Sequence, residues 1–269
     1  MNKIVLLLTG CINPGDMPFT HLKNKDERMR QYKNAIDYYL RETDYPIVFA
    51  ENSNTDISEN YHKDIYEGRI EFITFDGNNN KQKGKGYGEA YIIEYALKET
   101  TLISKNDLIV KITGRLIIEN INDVIKKTFP LQKKGSITCS FHSDLQFADS
   151  RIFCAPQDFL HVFVSHKDEI NDYQNIYFEH ILAKYALSSK LALYPFWIEP
   201  IINGESGSTG IKYSGKKANT PLHQYQYRSY ILKQVLIIAK LSPVISSSYY
   251  TFYLLLYIAY RIRVMIINK

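Results

Sequence analysis

Four short apolar runs rich in β-branched residues, at positions 4–8, 47–50, 70–75 and 108–113, punctuate the first half of this chain, with segments of helical period between them. Such runs read as buried strands. The stretch 26–41 sets Met29, Ala35, Ile36, Tyr39 and Leu40 on one side of a helix, and 89–98 does the same with Ala90, Ile93, Ala96 and Leu97. Strands alternating with helices predict an α/β fold, a single Rossmann-like domain with a mainly parallel central sheet and right-handed crossovers. A fold does not fix a function, so the chemistry has to come from what sits at the strand ends.

The most suggestive of those ends lies between Lys81 and Asn120. A basic turn with Gly84, Gly86 and Gly88 opens the second helix, whose first amides point back at the glycines. A helix start carries unpaired N–H groups and positive potential, and Lys83 and Lys85 flank this one, which makes it a candidate anion site. A basic flexible loop is the alternative. The strand 108–113 then runs out in Lys111-Ile-Thr-Gly-Arg115, and in open α/β sheets ligands sit at the C-terminal strand ends. Lys111 lies inside an apolar run, where a lysine is costly unless an anion pairs with it.

At 269 residues the chain can bury one substantial core, or one domain with an appendage. Its 45% hydrophobic and 23% charged residues exclude disorder. A net charge of +5 is mild, and no helix-turn-helix, zinc-finger or RNA-binding signature occurs, so no nucleic-acid partner is expected. Cys11, Cys139 and Cys154 are scattered and odd in number, which points to neither a disulfide framework nor a metal cluster and fits a reducing compartment. The apolar run behind Met1 is five residues long with no cleavage site after it, and it reads as the first strand rather than a signal peptide.

The second half is less regular. Strands are expected at 135–140 and 151–154, and a helix at 176–187 that carries Glu179 and His180 near its start. The glycine- and serine-rich stretch 204–210 either closes over a ligand or connects two elements. From Tyr230 the composition shifts. No charged residue lies between Lys240 and Arg261, while Arg228, Lys233, Lys240, Arg261, Arg263 and Lys269 punctuate the tail. Apolar helices edged with basic residues suit an anionic membrane surface. The expected division is a main domain at 1–228, with halves 1–120 and 121–228, and a helical, membrane-associating tail at 229–269. Packing of the tail on the domain's own core, or a homo-oligomer contact, is the second reading. A true span, interrupted by Pro243 and Ser246, is the third.

Taken together, Leu7-Leu-Thr-Gly10, Phe49-Ala-Glu-Asn-Ser53, Gly84-Lys-Gly-Tyr-Gly-Glu89, Lys111-Ile-Thr-Gly-Arg115, Asp149-Ser-Arg-Ile-Phe153 and Phe178-Glu-His180 make residues 1–215 resemble the glycosyltransferase-A fold. Within that fold the chain resembles the small glycosyltransferases of bacterial capsule, O-antigen and lipopolysaccharide synthesis. The resemblance implies that Thr9 and Glu51 hold the nucleoside of a nucleotide-sugar donor. It implies too that Lys85, Gly86 and Glu89 lie along the donor and that Lys111, Thr113 and Arg115 face its phosphates. Many members of the family end the fourth strand with Asp-x-Asp, which carries a divalent cation onto those phosphates. Here Lys111 and Arg115 stand in that place. A divalent cation needs hard oxygen ligands, normally including a carboxylate, whereas fixed Lys and Arg neutralise a leaving phosphate without it. No metal cofactor is therefore expected.

An inverting transfer needs a base to take the acceptor hydroxyl proton. The resemblance puts Glu179 of Phe-Glu-His in that role, with Asp149 and Glu89 as rivals and Arg151 and His180 as acceptor contacts. The expected protein is a glycosyltransferase, inverting and metal-independent. It would pass a sugar from a nucleotide-sugar donor to a lipid-linked or polysaccharide acceptor at the cytoplasmic face of the membrane; retention of configuration stays open. One rival is a sugar-nucleotide nucleotidyltransferase, which would want an arginine in the early glycine loop, absent from Gly10-Cys-Ile-Asn-Pro-Gly15. The other is a non-catalytic, membrane-tethered scaffold of the same fold.

Overall fold

The computed structural model describes residues 3–128, 135–214 and 221–241. The four strands expected in the first half are all present: β1 (Ile4–Gly10), β2 (Ile47–Glu51), β3 (Ile70–Thr74) and β4 (Leu108–Thr113). Along β1 alternate side chains enter different cores. Val5 and Leu7 pack under α3 (Lys85–Glu99), and Leu6 and Leu8 pack under α1 (Lys25–Glu42), so the strand is buried on both faces. That is why its sequence is a continuous apolar run rather than an alternating one. Helix α1 starts where the Asn24 side chain accepts from the Glu27 amide at 2.8 Å, an N-cap that satisfies one of the free first-turn donors.

The central sheet has seven strands in the order β3-β2-β1-β4-β7-β6-β8, completed by β6 (Ile137–Thr138), β7 (Ile152–Pro156) and β8 (Leu193–Tyr194). The α/β class and the mainly parallel sheet expected from the sequence are what the structure has. Strands β1 to β4 are parallel, and β7 runs antiparallel to β4 and to β6. The antiparallel return matters for the site, because it sets the start of β7 beside the C-terminal end of β4: the Thr113 amide donates to the Arg151 carbonyl at 2.9 Å. A second, three-stranded sheet of β5 (Ile117–Ile118), β9 (Ile202–Glu205) and β10 (Lys212–Ser214) stands over the same end.

The remaining helices are α2 (His62–Tyr66), α4 (Ile121–Thr128), α5 (Gln157–Ser165), α6 (Phe178–Ser188) and α7 (Pro221–Leu241). Helix α7 crosses the boundary expected after residue 228. Its Ile231, Leu232 and Val235 are buried against Trp197, Tyr227 and Tyr230, Ile238 joins the main core, and the buried Gln234 side chain donates to the Phe141 carbonyl at 2.7 Å. This stretch packs on the domain, the second of the readings set out above. The rest of the tail, 242–269, lies outside the described residues. Among those described, no helix is long and apolar enough to cross a membrane.

Candidate functional site

The chain runs β1, β2, β3 to one side and then returns through β4 to the other, so the sheet order reverses between β1 and β4. Crevices form outside the strand ends at such a switch point. Here the crevice is a cavity of about 790 Å³, walled by the ends of β1 and β4, the first turns of α1, α3 and α6, the start of β7 and the β9–β10 hairpin. Nine residues expected from the sequence line it together: Thr9, Lys85, Gly86, Glu89, Thr113, Arg115, Asp149, Arg151 and Glu179. Glu51, Lys111 and His180 do not.

Each of those three has a local reason. Glu51 is fully buried, and its carboxylate accepts from the amides of Ile12 at 2.7 Å and Thr55 at 3.0 Å and from the Ser53 hydroxyl. Those bonds hold the β1 and β2 exits together and use up the carboxylate that was expected at the nucleoside. Asn52, the next residue, lines the cavity instead, nearly fully buried and with its side-chain oxygen unpartnered. His180 is turned back onto its own helix, where Nδ1 accepts from the Tyr177 amide at 3.1 Å in a reciprocal cap.

Lys111 sits beneath the cavity floor at 0% exposure. It forms an ion pair with Glu89 and donates to the Ser150 carbonyl at 2.7 Å. The anion that a buried lysine demands is thus supplied by α3. The pair extends into a polar chain: the Thr9 hydroxyl donates to Glu89 Oε1 at 3.2 Å, and the Ser150 hydroxyl donates to Glu179 Oε1 at 2.6 Å. Burial raises the Glu179 carboxyl above its ordinary range, an effect the Ser150 hydrogen bond partly opposes. Asp149 is differently placed, bound to both Nε and Nη2 of Arg151 at 2.6–3.1 Å, and Arg151 lies 4.9 Å from the Tyr213 ring.

The glycine-rich turn also has an occupant. Helix α3 begins at Lys85, four residues before the expected start, and the Gly86 amide donates to Asp172 Oδ2 at 3.1 Å. Gly84 adopts φ +90°, and a Cβ there would fall 2.5 Å from the Asp172 carboxylate, so this turn needs glycine. Lys83 is paired with Asp168 at 2.7 Å. The amides predicted to hold a ligand anion therefore hold a carboxylate of the chain itself. Burial in turn raises the Asp172 carboxyl.

Unpaired positive charge appears elsewhere, on two buried arginines that both line the cavity. Arg115 donates from Nη1 to Gln31 Oε1 at 2.8 Å. Arg28, in the first turn of α1, donates to the carbonyls of Cys11 and Leu22 at 2.7 and 3.1 Å and to the Tyr32 hydroxyl at 3.3 Å. Neither forms an ion pair among the described residues. Both guanidiniums converge on Gly207 of the hairpin loop, where a Cβ would lie 2.6 Å from Arg115 Nη2 and 3.9 Å from Arg28 Nη1. Burial, helped by the neighbouring Arg28 charge, pushes Arg115 below its ordinary value. Buried charges are ordinarily paired; Glu205 on the cavity wall acts on Arg115 through space, but neither guanidinium has a carboxylate in ion-pair contact among the described residues.

The sequence reading missed Arg28, Asn52, Asp172 and Tyr213. Arg28 carried a signal: it stands four residues before Tyr32 and thus on the stripe that continues through Ala35, Ile36 and Tyr39 into the core.

No protein-family model matches the chain, and no curated protein matches its sequence. Solved structures do. A cytidylyltransferase from Leptospira borgpetersenii is similar at 16% identity over 72% of this chain and 76% of that one, with a TM-score of 0.40. The glycosyltransferase GlyE of Streptococcus pneumoniae is similar at 9% identity over 72% of this chain, which spans only 45% of that longer one, with a TM-score of 0.42. The galactosyltransferase LgtC, solved with donor and acceptor sugar analogues, is similar at 9% identity over 71% of this chain and 73% of that one, with a TM-score of 0.40. Likeness at this level says nothing of chemistry, which has to come from the cavity's own residues.

Proposed function

We propose that this chain is a glycosyltransferase of glycosyltransferase-A type that takes a sugar from a nucleotide-sugar donor and passes it, with inversion, to a surface-polysaccharide or lipid-linked acceptor. The observation that carries the reading is the pair of buried guanidiniums, Arg28 and Arg115, directed into a cavity at the β1/β4 switch point without an ion-pair partner among the described residues. A diphosphate supplies the missing negative charge, and guanidinium binds phosphate oxygens two at a time. Asn52 and Thr9 line the side of the cavity where the nucleoside then lies.

In the transfer, an acceptor hydroxyl oxygen forms a bond to the anomeric carbon while the bond from that carbon to the diphosphate oxygen breaks. The leaving diphosphate takes the bonding electrons and is stabilised by Arg28 and Arg115. Glu179 takes the hydroxyl proton. It suits that task because its carboxyl is shifted upward while Asp149 is held by Arg151. Ser150 fixes the Glu179 carboxylate, and the Glu89–Lys111 pair fixes the backbone at Ser150. In this reading Arg115 and Arg28 take the electrostatic role of a divalent cation, so no metal is required.

The test is the identity of the released product. Purified protein is incubated with UDP-, GDP-, CMP- and dTDP-sugars, and separately with nucleoside triphosphates and sugar 1-phosphates. Release of free nucleotide from one sugar nucleotide supports the transferase. Pyrophosphate release only from the second mixture would make it a nucleotidyltransferase, and no turnover in either would leave a scaffold.

A further inference from the structure

A second cavity, of about 600 Å³, lies beyond the Asp149–Arg151 pair, between the β10 strand and helix α7. It shares His142, Asp149, Arg151 and Tyr213 with the first, so these four side chains form a wall between two adjoining chambers. We propose that the second chamber is an oligosaccharide subsite: an acceptor of at least two sugars places its terminal hydroxyl at Glu179, crosses the Arg151–Tyr213 wall and seats its preceding residues against α7. This rests on the transferase reading and adds to it the size and chemistry of the acceptor.

Four observations support it. The route is aromatic: on the first side His142 stacks on Phe147 at 4.6 Å between centroids, and on the second Tyr227 and Tyr230 face the chamber. Both tyrosine hydroxyls are tied down, Tyr227 to the Phe196 carbonyl at 2.8 Å and Tyr230 to that of Phe141, so their rings are held in place. Fixed rings offer apolar faces of the kind that the C–H faces of sugars cover. The chamber also carries hydroxyl-binding polar groups, among them the Glu199–His223 pair at 2.6 Å. This lining argues against a lipid chain, which would strip the Asp149–Arg151 and Glu199–His223 pairs of their remaining water and offer no hydrogen bonds in return, whereas sugar hydroxyls do. A volume of this size is within the range of small-ligand sites. Finally, α7 is anchored by Gln234 to the Phe141 backbone, so this wall is fixed to the catalytic domain.

The test fills the chamber without touching the first. Gln226→Trp and Lys212→Trp enter from opposite walls, and both positions are exposed, so the fold tolerates either. Full-length protein and both variants are applied to an array of bacterial surface glycans from mono- to hexasaccharides, and nucleotide binding is followed by thermal shift with nucleoside diphosphates. The expected result is binding of one or more oligosaccharides, absent for the matching monosaccharide, that weakens about tenfold or more in each variant while nucleotide stabilisation is unchanged. Equal glycan binding by wild type and variants would overturn the proposal. So would no glycan binding at all alongside normal nucleotide binding, which leaves the transferase reading standing. Glycan binding that both variants lose, with no nucleoside diphosphate stabilising wild type or either variant, would keep the saccharide subsite and overturn the transferase reading instead. Uptake of a fluorescent fatty acid that Gln226→Trp blocks would assign the chamber to an acyl chain and overturn it.

Discussion

Glu89→Gln should destabilise the protein by about 2–3 kcal/mol, because it removes the one carboxylate that, among the described residues, pairs with a lysine that water cannot reach. Lys111 is 0% exposed, and without Glu89 its ammonium keeps the Ser150 carbonyl at 2.7 Å and the Thr113 hydroxyl at 3.4 Å. Stripping one partner from a fully buried ion pair costs ~3–5 kcal/mol. Glu89 is itself 24% exposed on the cavity side, so water partly replaces its carboxylate and the loss falls below that range. At ~2–4 °C per kcal/mol for a chain of this size, Tm should drop by about 4–12 °C. Lys111→Met should cost less, about 1–2 kcal/mol, since the carboxylate left behind is partly solvated and keeps the Thr9 hydroxyl. The double variant should therefore recover stability relative to the sum of the two losses, with a coupling of ~1–3 kcal/mol. Urea unfolding of the four proteins measures the cycle, with Trp197 as the reporter. Additive losses, or single variants within about 0.5 kcal/mol of wild type, would show that the buried pair does not hold this floor together.

Arg115→Ala should lower kcat about 10²–10³-fold, the usual loss when one fixed electrostatic donor is removed, and near-wild-type turnover would end its phosphate role. Chelators should leave turnover intact; complete loss with EDTA that Mn²⁺ restores would contradict transfer without metal. Glu179 titrates above the ordinary carboxylate range when folded, so the folded protein keeps this proton to a higher pH than the unfolded chain does. Its contribution to stability is therefore full below the unfolded carboxylate value and fades as pH rises through the folded one. Transfer, which needs the carboxylate, rises over that same window. Glu179→Gln should abolish transfer and spare nucleotide binding, and a selective loss in Asp149→Asn instead would move the base to Asp149. Truncation after Tyr230 removes the buried Ile231, Leu232, Val235 and Ile238. At ~1.5–3 kcal/mol for each it should leave the domain unfolded, whereas a chain ending at Leu241 should melt cooperatively.

The strands at the switch point were legible because each is an apolar run too short for a helix, and α1 because its stripe has a clean period. The start of α3 was not, since Gly86 and Gly88 are poor helix formers on local grounds; they are helical here in a turn closed by the Asp172 carboxylate, from a segment distant in sequence. The burial cost of Lys111 was legible as well, but its partner is on another element, and no spacing rule links residues 89 and 111. Strand β6 is two residues of the six expected at 135–140, and β5, β8 and β10, two or three residues long, are too short to show a period. Arg115 was singled out for its place after β4, whereas Arg28 drew no notice because an arginine in a first helical turn is ordinarily solvated. Its role shows only once the hairpin loop brings Gly207 over both guanidiniums.

The donor site is tested most directly by calorimetric titration of UDP, GDP, CDP and dTDP into wild-type protein, Arg28→Gln and Arg115→Gln at low and high salt. At least one diphosphate should bind wild type, more weakly as salt rises, and each substitution should weaken it by about tenfold or more, the worth of ~1.4 kcal/mol or above in a charge-assisted contact. Binding of no nucleoside diphosphate, or binding indifferent to both substitutions, would contradict an anion site between Arg28 and Arg115.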